Sequence, residues 1–328
     1  MNQNTSRVLK IAAFLICLVL ADQIVGSVLR KLYFHEKTGA HYALNNVLRY
    51  CKSDVLVFGS SRAVHHYDSR IIEKRLQMSC YNTGIDGGHS IILPYAQIQV
   101  ITKRYSPKII IVELDPNQLV HYLRDYDRLS ILLPYYSEFP EIRPVIELRS
   151  PFERVKLLSA IYPFNSSIIN ICRMFLNIHT ENIQDYDGYV PIKDGVMTAE
   201  MAKAEPGFVT NSIIDTNMVD ALKGIIRICK EKNITLYVVN SPIYHGINDA
   251  KRSLTPAGKL AIDILKENNV KYFDFTYDTA FAGHMEWFGD VNHLNDNGAK
   301  IFTNLVADKI ITDNLRVFLK ESRSDIIP

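Results

Sequence analysis

The chain has 328 residues, 47% hydrophobic and 22% charged, with a formal net charge of +2. That is enough apolar material for the sizeable core of one large α/β unit carrying an insertion, so folding needs neither a metal nor a disulfide framework. A charge so near zero gives no reason to expect nucleic acid or a strongly acidic partner.

The five cysteines, Cys17, Cys51, Cys80, Cys172 and Cys229, are scattered, odd in number and free of CxxC spacing. They read as buried free thiols, not as metal ligands or a disulfide scaffold.

At the N-terminus, Arg7 and Lys10 precede an apolar run from Ile11 to Ala21. Asp22 and Gln23 interrupt it, and Ile24 to Leu29 continue it up to Arg30 and Lys31. The stretch matches the roughly 20 residues of a spanning helix. Three readings stand: an uncleaved anchor, a signal peptide cleaved after Val19-Leu20-Ala21, and a buried helix of a soluble protein. The anchor is preferred, because apolar character resumes after Asp22 and ends on a basic pair. Residues 1–31 are then an anchor or signal segment and 32–328 the folded domain. A carboxylate at the bilayer centre costs about 2.5–3.5 kcal/mol, which argues for Asp22 near the outer interface.

After a polar stretch around Lys37 to Asn46, Val55-Leu56-Val57-Phe58 reads as a strand buried on both faces, stopping at Gly59. A helix follows from about Asp68 to Gln77, with Asp68 and Ser69 available as caps. A short strand around Ser79 to Asn82 enters the glycine-rich turn Gly84-Ile85-Asp86-Gly87-Gly88. A helix over about Ile92 to Arg104 leads to the apolar strand Lys108 to Leu114.

From about 119 to 211 the alternation is lost, and the segment reads as a largely helical insertion rich in Tyr, Arg, Pro and Asp. It resumes with a helix over Asp215 to Lys232 and a strand over Ile234 to Val239. A helix over Pro256 to Asn268, a strand over Val270 to Phe275 and a last helix over about Asp296 to Thr312 complete the pattern. Alternating strands and helices predict βαβ units around a parallel sheet.

Open parallel sheets gather ligands at the carboxyl ends of their strands. Four polar features fall there or beside the last helix. Gly59-Ser60-Ser61-Arg62 follows the first strand, and a serine at that turn has its amide near a helix N-terminus that favours negative charge. Asn82-Thr83-Gly84-Ile85-Asp86-Gly87 follows the second, where glycine permits close backbone approach or simply a tight turn. Asn117 follows the third, either donating to an oxyanion or capping a helix. Asp290 and His293 stand three residues apart, close enough in a helical turn for carboxylate and imidazole to meet.

Taken together in this order, the four features resemble the SGNH (GDSL) hydrolase family, whose blocks supply a serine, a glycine, an asparagine and a closing DxxH. The resemblance covers about two-thirds of the chain and leaves the insertion out. It matches Ser61 within Gly59-Ser60-Ser61, Gly87, Asn117, and Asp290 with His293 followed by Leu294-Asn295 and Gly298. Ser60 stands where the family has aspartate, Asp115-Pro116 replaces its flexible glycines, and Gln118 replaces a common aspartate. The Gly-Ser-Ser-Arg form is similar to envelope-associated branches concerned with polysaccharide O-acylation and teichoic-acid D-alanylation.

The resemblance implies a three-layer α/β/α sandwich with a central parallel sheet of about five strands. It implies Ser61 as nucleophile, the Asp290–His293 pair as its base, and the amides of Ser61 and Gly87 with the Asn117 side chain as oxyanion donors, with no cofactor and no metal. The expected substrate is an acylated glycan or small ester, with a membrane-bound acyl donor protein as partner and the domain outside the cytoplasm. A second class of reading keeps the fold without catalysis, as an anchored glycan-binding or assembly component using Tyr122, Tyr126, Tyr135 and Tyr136 for sugar stacking. A third is a soluble intracellular esterase. Arg62 reads as a steering cation or as the partner of Asp68 or another acid. His65, His66, His89, His245 and His284 read as solvated loop histidines.

Overall fold

In a computed structural model, residues 3–36, 39–87, 90–175, 185–193, 195–203, 213–246 and 253–324 are described. His89 lies outside them. The chain forms two compact units, one of Met1–Asn46 with Leu123–Asn182 and one of Val47–Tyr122 with Ile183–Pro328. The segment Leu123–Asn182 thus groups with the N-terminal residues.

The first unit begins with helix α1, Gln3–His35, and helix α2 begins in it at Gly39 and ends at Arg49 in the second unit. Between them α1 and the later helices α6 (Leu123–Arg128), α7 (Arg143–Glu147), α8 (Glu153–Lys156) and α9 (Ile168–Phe175) account for most of it. The residues of α1 up to Ala21 are almost all exposed, whereas Gly26, Leu29 and Tyr33 are buried at helical spacing. Tyr33 meets the rings of Tyr135 and Phe164 edge-on. Tyr126 and Tyr135 are buried, so these two stacking candidates are core residues.

The second unit is a five-stranded, fully parallel sheet: β1 Val55–Phe58, β2 Cys80–Asn82, β3 Ile109–Glu113, β4 Thr235–Asn240 and β5 Lys271–Asp274. Its order is β2-β1-β3-β4-β5, the flavodoxin-like arrangement whose switch point lies between β1 and β3. The strands fall within a residue or two of expectation; β1 and β3 are apolar almost throughout because both their faces are covered.

Alternate residues divide the sheet's two faces. Val55, Val57, Ile109, Ile111, Tyr237 and Val239 share one core with Ala63, Tyr67, Ile72, Phe302, Val306 and Ile310. Those last six lie on or beside α3 (Ser61–His66), α4 (Ser69–Leu76) and α12 (Asp296–Ser324). On the other side α5 (Ile92–Arg104) packs against α10 (Thr216–Glu231), and α11 (Pro256–Glu267) packs beside β5.

Capping is local and legible. Asp68 accepts from the Arg70 amide at 3.0 Å, Asp215 from Asn217 at 2.9 Å and Thr255 Oγ1 from Gly258 at 3.1 Å. Such caps contribute about 1 kcal/mol each. Cys51, Cys80 and Cys229 are buried free thiols; Cys17 and Cys172 are also free but exposed, contrary to the uniform burial expected.

Candidate active site

β1 ends at Phe58, and the chain turns sharply through Gly59, whose φ is 152°. A Cβ there would come within 2.8 Å of Glu113 Cβ and 2.9 Å of Ala63 Cβ. Glycine is what lets β1 turn at once into α3 with Ser61 as its first residue.

The Ser61 hydroxyl lies 2.8 Å from His293 Nε2. His293 Nδ1 lies 2.9 and 3.0 Å from the two oxygens of Asp290. One tautomer satisfies both contacts: Nδ1–H donates to the carboxylate, and Nε2 accepts the serine proton.

The Asp290–His293 contact is not made on a helix, as the three-residue spacing had suggested. Residues 290–293 form a bend before α12, and Asp290 Oδ1 accepts the amides of Asn292 at 2.7 Å and His293 at 3.0 Å. An Asx turn therefore holds the pair, and the Phe288–Leu294 bridge closes it. Burial works against the Asp290 charge, but the His293 ring and these amides outweigh it and hold the carboxyl below its usual range.

Sequence reasoning missed what supports this array. His66 is fully buried in α3 and is not a solvated loop histidine. Its Nε2 accepts the Leu294 amide at 2.9 Å, so its proton sits on Nδ1, which donates to Ser241 Oγ at 2.8 Å. Ser241 Oγ in turn donates to Glu113 Oε1 at 3.0 Å. Burial, then the neighbouring His293 and Arg62, push the His66 pKa well below the usual value and keep the ring neutral.

Arg62 completes the buried group. It pairs with Glu113 at 3.1 Å and donates to the Ser241 carbonyl at 3.3 Å; it does not pair with Asp68, which binds Arg70. Burial opposes the Arg62 charge, yet Glu113 and Asp115 keep it. Tyr67 also donates to Glu113. With Arg62, Tyr67 and both polar groups of Ser241 on one carboxylate, the network is saturated at the β1/β3 switch point. Arg62 is thus structural.

The remaining expected residues are placed less directly. Gly87 lies at φ 89° in the turn after β2, on a loop tied to β1 by the Ile85 amide and Gly59 carbonyl at 3.0 Å. Asn82 braces α3 from below, donating to the carbonyls of Ala63 at 2.6 Å and Tyr67 at 3.0 Å. The Asn117 carbonyl oxygen accepts from the Thr255 amide at 2.8 Å and its hydroxyl at 3.1 Å. Asn117 therefore fastens the start of α11, and only its NH2 is left for an oxyanion. His65 donates from Nδ1 to the Val190 carbonyl at 2.7 Å, with its ring 5.8 Å from that of His293. His245 is buried as well, whereas His284 stacks on Trp287 with centroids 3.9 Å apart.

The sheet order and the serine–histidine–aspartate array define a class: a flavodoxin-like α/β protein with a relay at the carboxyl edge of its first strand. No protein-family model and no curated protein sequence matches the chain. Among solved structures, it is similar to a "putative acylhydrolase" from Bacteroides fragilis NCTC 9343, at 11% identity and a TM-score of 0.38, covering 85% of this chain and 99% of that one. It is also similar to a "putative GDSL-like lipase" from Parabacteroides merdae ATCC 43184, at 12% identity and a TM-score of 0.37, covering 76% and 92%. Likenesses this distant add nothing to the chemistry, which rests on the chain's own atoms.

Proposed function

We propose that the chain is a membrane-tethered serine esterase or O-acyltransferase, acting on acyl esters of envelope or extracellular glycans, acetyl esters foremost. The single observation that carries this reading is the continuous hydrogen-bonded line from Ser61 through His293 to Asp290.

In this mechanism Ser61 Oγ attacks the ester carbonyl as His293 Nε2 takes its proton, and Asp290 stabilises the imidazolium. The oxyanion rests on the amides of Ser61 and Gly87 and on the Asn117 NH2. Collapse breaks the bond to the alcohol oxygen, which receives the proton from His293. Water or a sugar hydroxyl then attacks the acyl-serine, giving its proton to His293; collapse breaks the acyl–Oγ bond and His293 returns the proton to Ser61 Oγ. The tether is α1, long and apolar enough to cross a membrane by length and composition.

The test is turnover of p-nitrophenyl acetate and labelling by a fluorophosphonate probe, in wild type and Ser61→Ala. Loss of both in the variant is expected. Equal turnover in the two proteins removes the assignment, and a wild type that neither labels nor turns over leaves a binding role for the same cleft.

A further inference from the structure

Asp22 is the one acidic residue within the apolar stretch of α1, and the structure gives it an unusual set of partners. Its carboxylate accepts from Ser159 Oγ at 2.6 Å, the Ala160 amide at 2.7 Å and the Ile161 amide at 3.3 Å. One turn on, Gly26 faces Ala160 so closely that a Cβ would collide with the Ala160 backbone. Residues 159–161 are therefore bound directly to the helix wall.

The length of the anchor fixes where that happens. From Ile11 to Leu29, between the basic pairs Arg7/Lys10 and Arg30/Lys31, a helix rising 1.5 Å per residue covers about 28 Å. The hydrocarbon layer is about 30 Å thick. The exposed stretch Val8–Ala21 alone covers only about 21 Å and leaves the layer unfilled. The span must continue past Asp22, on the face where Ile24, Val25 and Val28 are exposed. Asp22 then lies about 12 Å inside the boundary set by Arg30, deeper than the outer-interface position its charge alone had suggested.

The segment attached at that depth is dressed for lipid. Phe152, Val155 and Leu158 stand at three-residue spacing and are 66%, 64% and 78% exposed. Each charge among them has a partner: Arg154 pairs with Glu147 at 2.6 Å, while Arg149 at 3.1 Å and Lys156 at 2.8 Å share Glu153. Glu153, itself buried, also accepts from Tyr162 at 2.8 Å. Long, flexible Arg and Lys stems can lie along an apolar surface while their charged heads reach towards the bilayer boundary.

We propose that residues 151–161 form a wedge immersed in the outer leaflet beside the anchor, with lipid acyl chains as the occupant of the Phe152–Val155–Leu158 face. The Asp22 carboxylate is the polar clasp that holds it there, its charge met by three donors from the wedge itself. This rests on α1 being a membrane anchor, and it makes the attachment two-point, by a spanning helix and a monotopic element.

The full chain is reconstituted in phosphatidylcholine–phosphatidylglycerol vesicles with a Cys172→Ser background, since Cys17 and Cys172 are the exposed thiols. An NBD label is placed on native Cys17, on Leu158→Cys, or on Lys232→Cys in the second unit, the latter two with Cys17→Ser. Lipids carrying a doxyl quencher at shallow or deep acyl positions are then added. The Leu158 label, held near the depth of Asp22, is expected to be quenched at least twofold more than the Lys232 label. The Cys17 label is expected to be quenched best by deep doxyl. If Cys17 is quenched and Leu158 is not, the wedge is overturned while the anchor stands. If neither is quenched, both fall. A blue-shifted Leu158 label that doxyl lipids leave unquenched means a protein covers this face, which also overturns the proposal.

Discussion

His66 Nε2 accepts the backbone amide of Leu294 at 2.9 Å, one residue beyond His293. Through this bond the loop that carries the histidine is hung from α3, the helix that carries the serine. Through Ser241 and Glu113 the same ring is anchored to the ends of β4 and β3. His66→Leu removes the acceptor and the donor together while keeping the bulk. Misplacement by about 1 Å costs up to roughly 100-fold in rate. A 10- to 100-fold fall in kcat with p-nitrophenyl acetate and a nearly unchanged KM is expected; unchanged kcat would show that the loop is held without it.

The same ring has a pH signature in stability. Its folded pKa is depressed, so the unfolded chain takes up a proton first as pH falls below the usual histidine value of about 6.5. Stability from this group is complete above that pH and is lost as pH drops below it. One proton corresponds to a slope of about 1.4 kcal/mol per pH unit. Urea unfolding in detergent between pH 7 and 5 should show a slope steeper in wild type than in His66→Gln by up to this amount.

Asp290→Asn preserves an oxygen for the Asn292 and His293 amides. Its NH2 then faces His293 Nδ1 and imposes the tautomer that protonates Nε2. The outcome expected is a loss of kcat of up to ~10⁴-fold, the size seen when a triad carboxylate becomes an amide. Melting temperature should shift little, because the side chain is partly exposed.

Asn117 separates structure from catalysis in a pair of variants. Asn117→Asp keeps an oxygen for Thr255 but deletes the NH2; Asn117→Ala deletes both. The alanine variant should lose about 1–3 kcal/mol of stability from the orphaned Thr255 groups. The aspartate variant should retain most of its stability yet lose roughly 100- to 1000-fold in turnover if its NH2 holds the oxyanion. Full turnover in Asn117→Asp would restrict the residue to fastening α11.

Gly59→Ala meets both a positive φ and a crowded site. Strain of this kind costs about 1–3 kcal/mol before any collision with Glu113 and Ala63 is counted. A drop in melting temperature of several degrees, together with weakened fluorophosphonate labelling, is the expected result, because the turn aims Ser61.

Much of the fold was legible in local pattern. Val55–Phe58 and Ile109–Glu113 are apolar throughout because both their faces are covered, and Asp215 and Thr255 announce the helices they cap. The serine and the Asp–His pair were visible as polar residues at element ends. The extent of helix α3 was not, since six residues beginning Ser-Arg-Ala-Val have no helical periodicity to display. Nor was the nature of the 290–293 bend, because three-residue spacing suits an Asx turn as well as a helix.

By itself the amino-acid order determined the five strands, the longer helices between them and an N-terminal stretch apolar enough for a bilayer. Only the tertiary structure decided that Arg62, His66, Glu113 and Ser241 share one buried network, and that Asp22 clasps Ser159 across 137 positions of chain. Periodicity reports how much of a residue is covered. Which polar group covers it depends on the strand order that brings distant loop ends together, and on the need of every buried donor and charge to find a partner there.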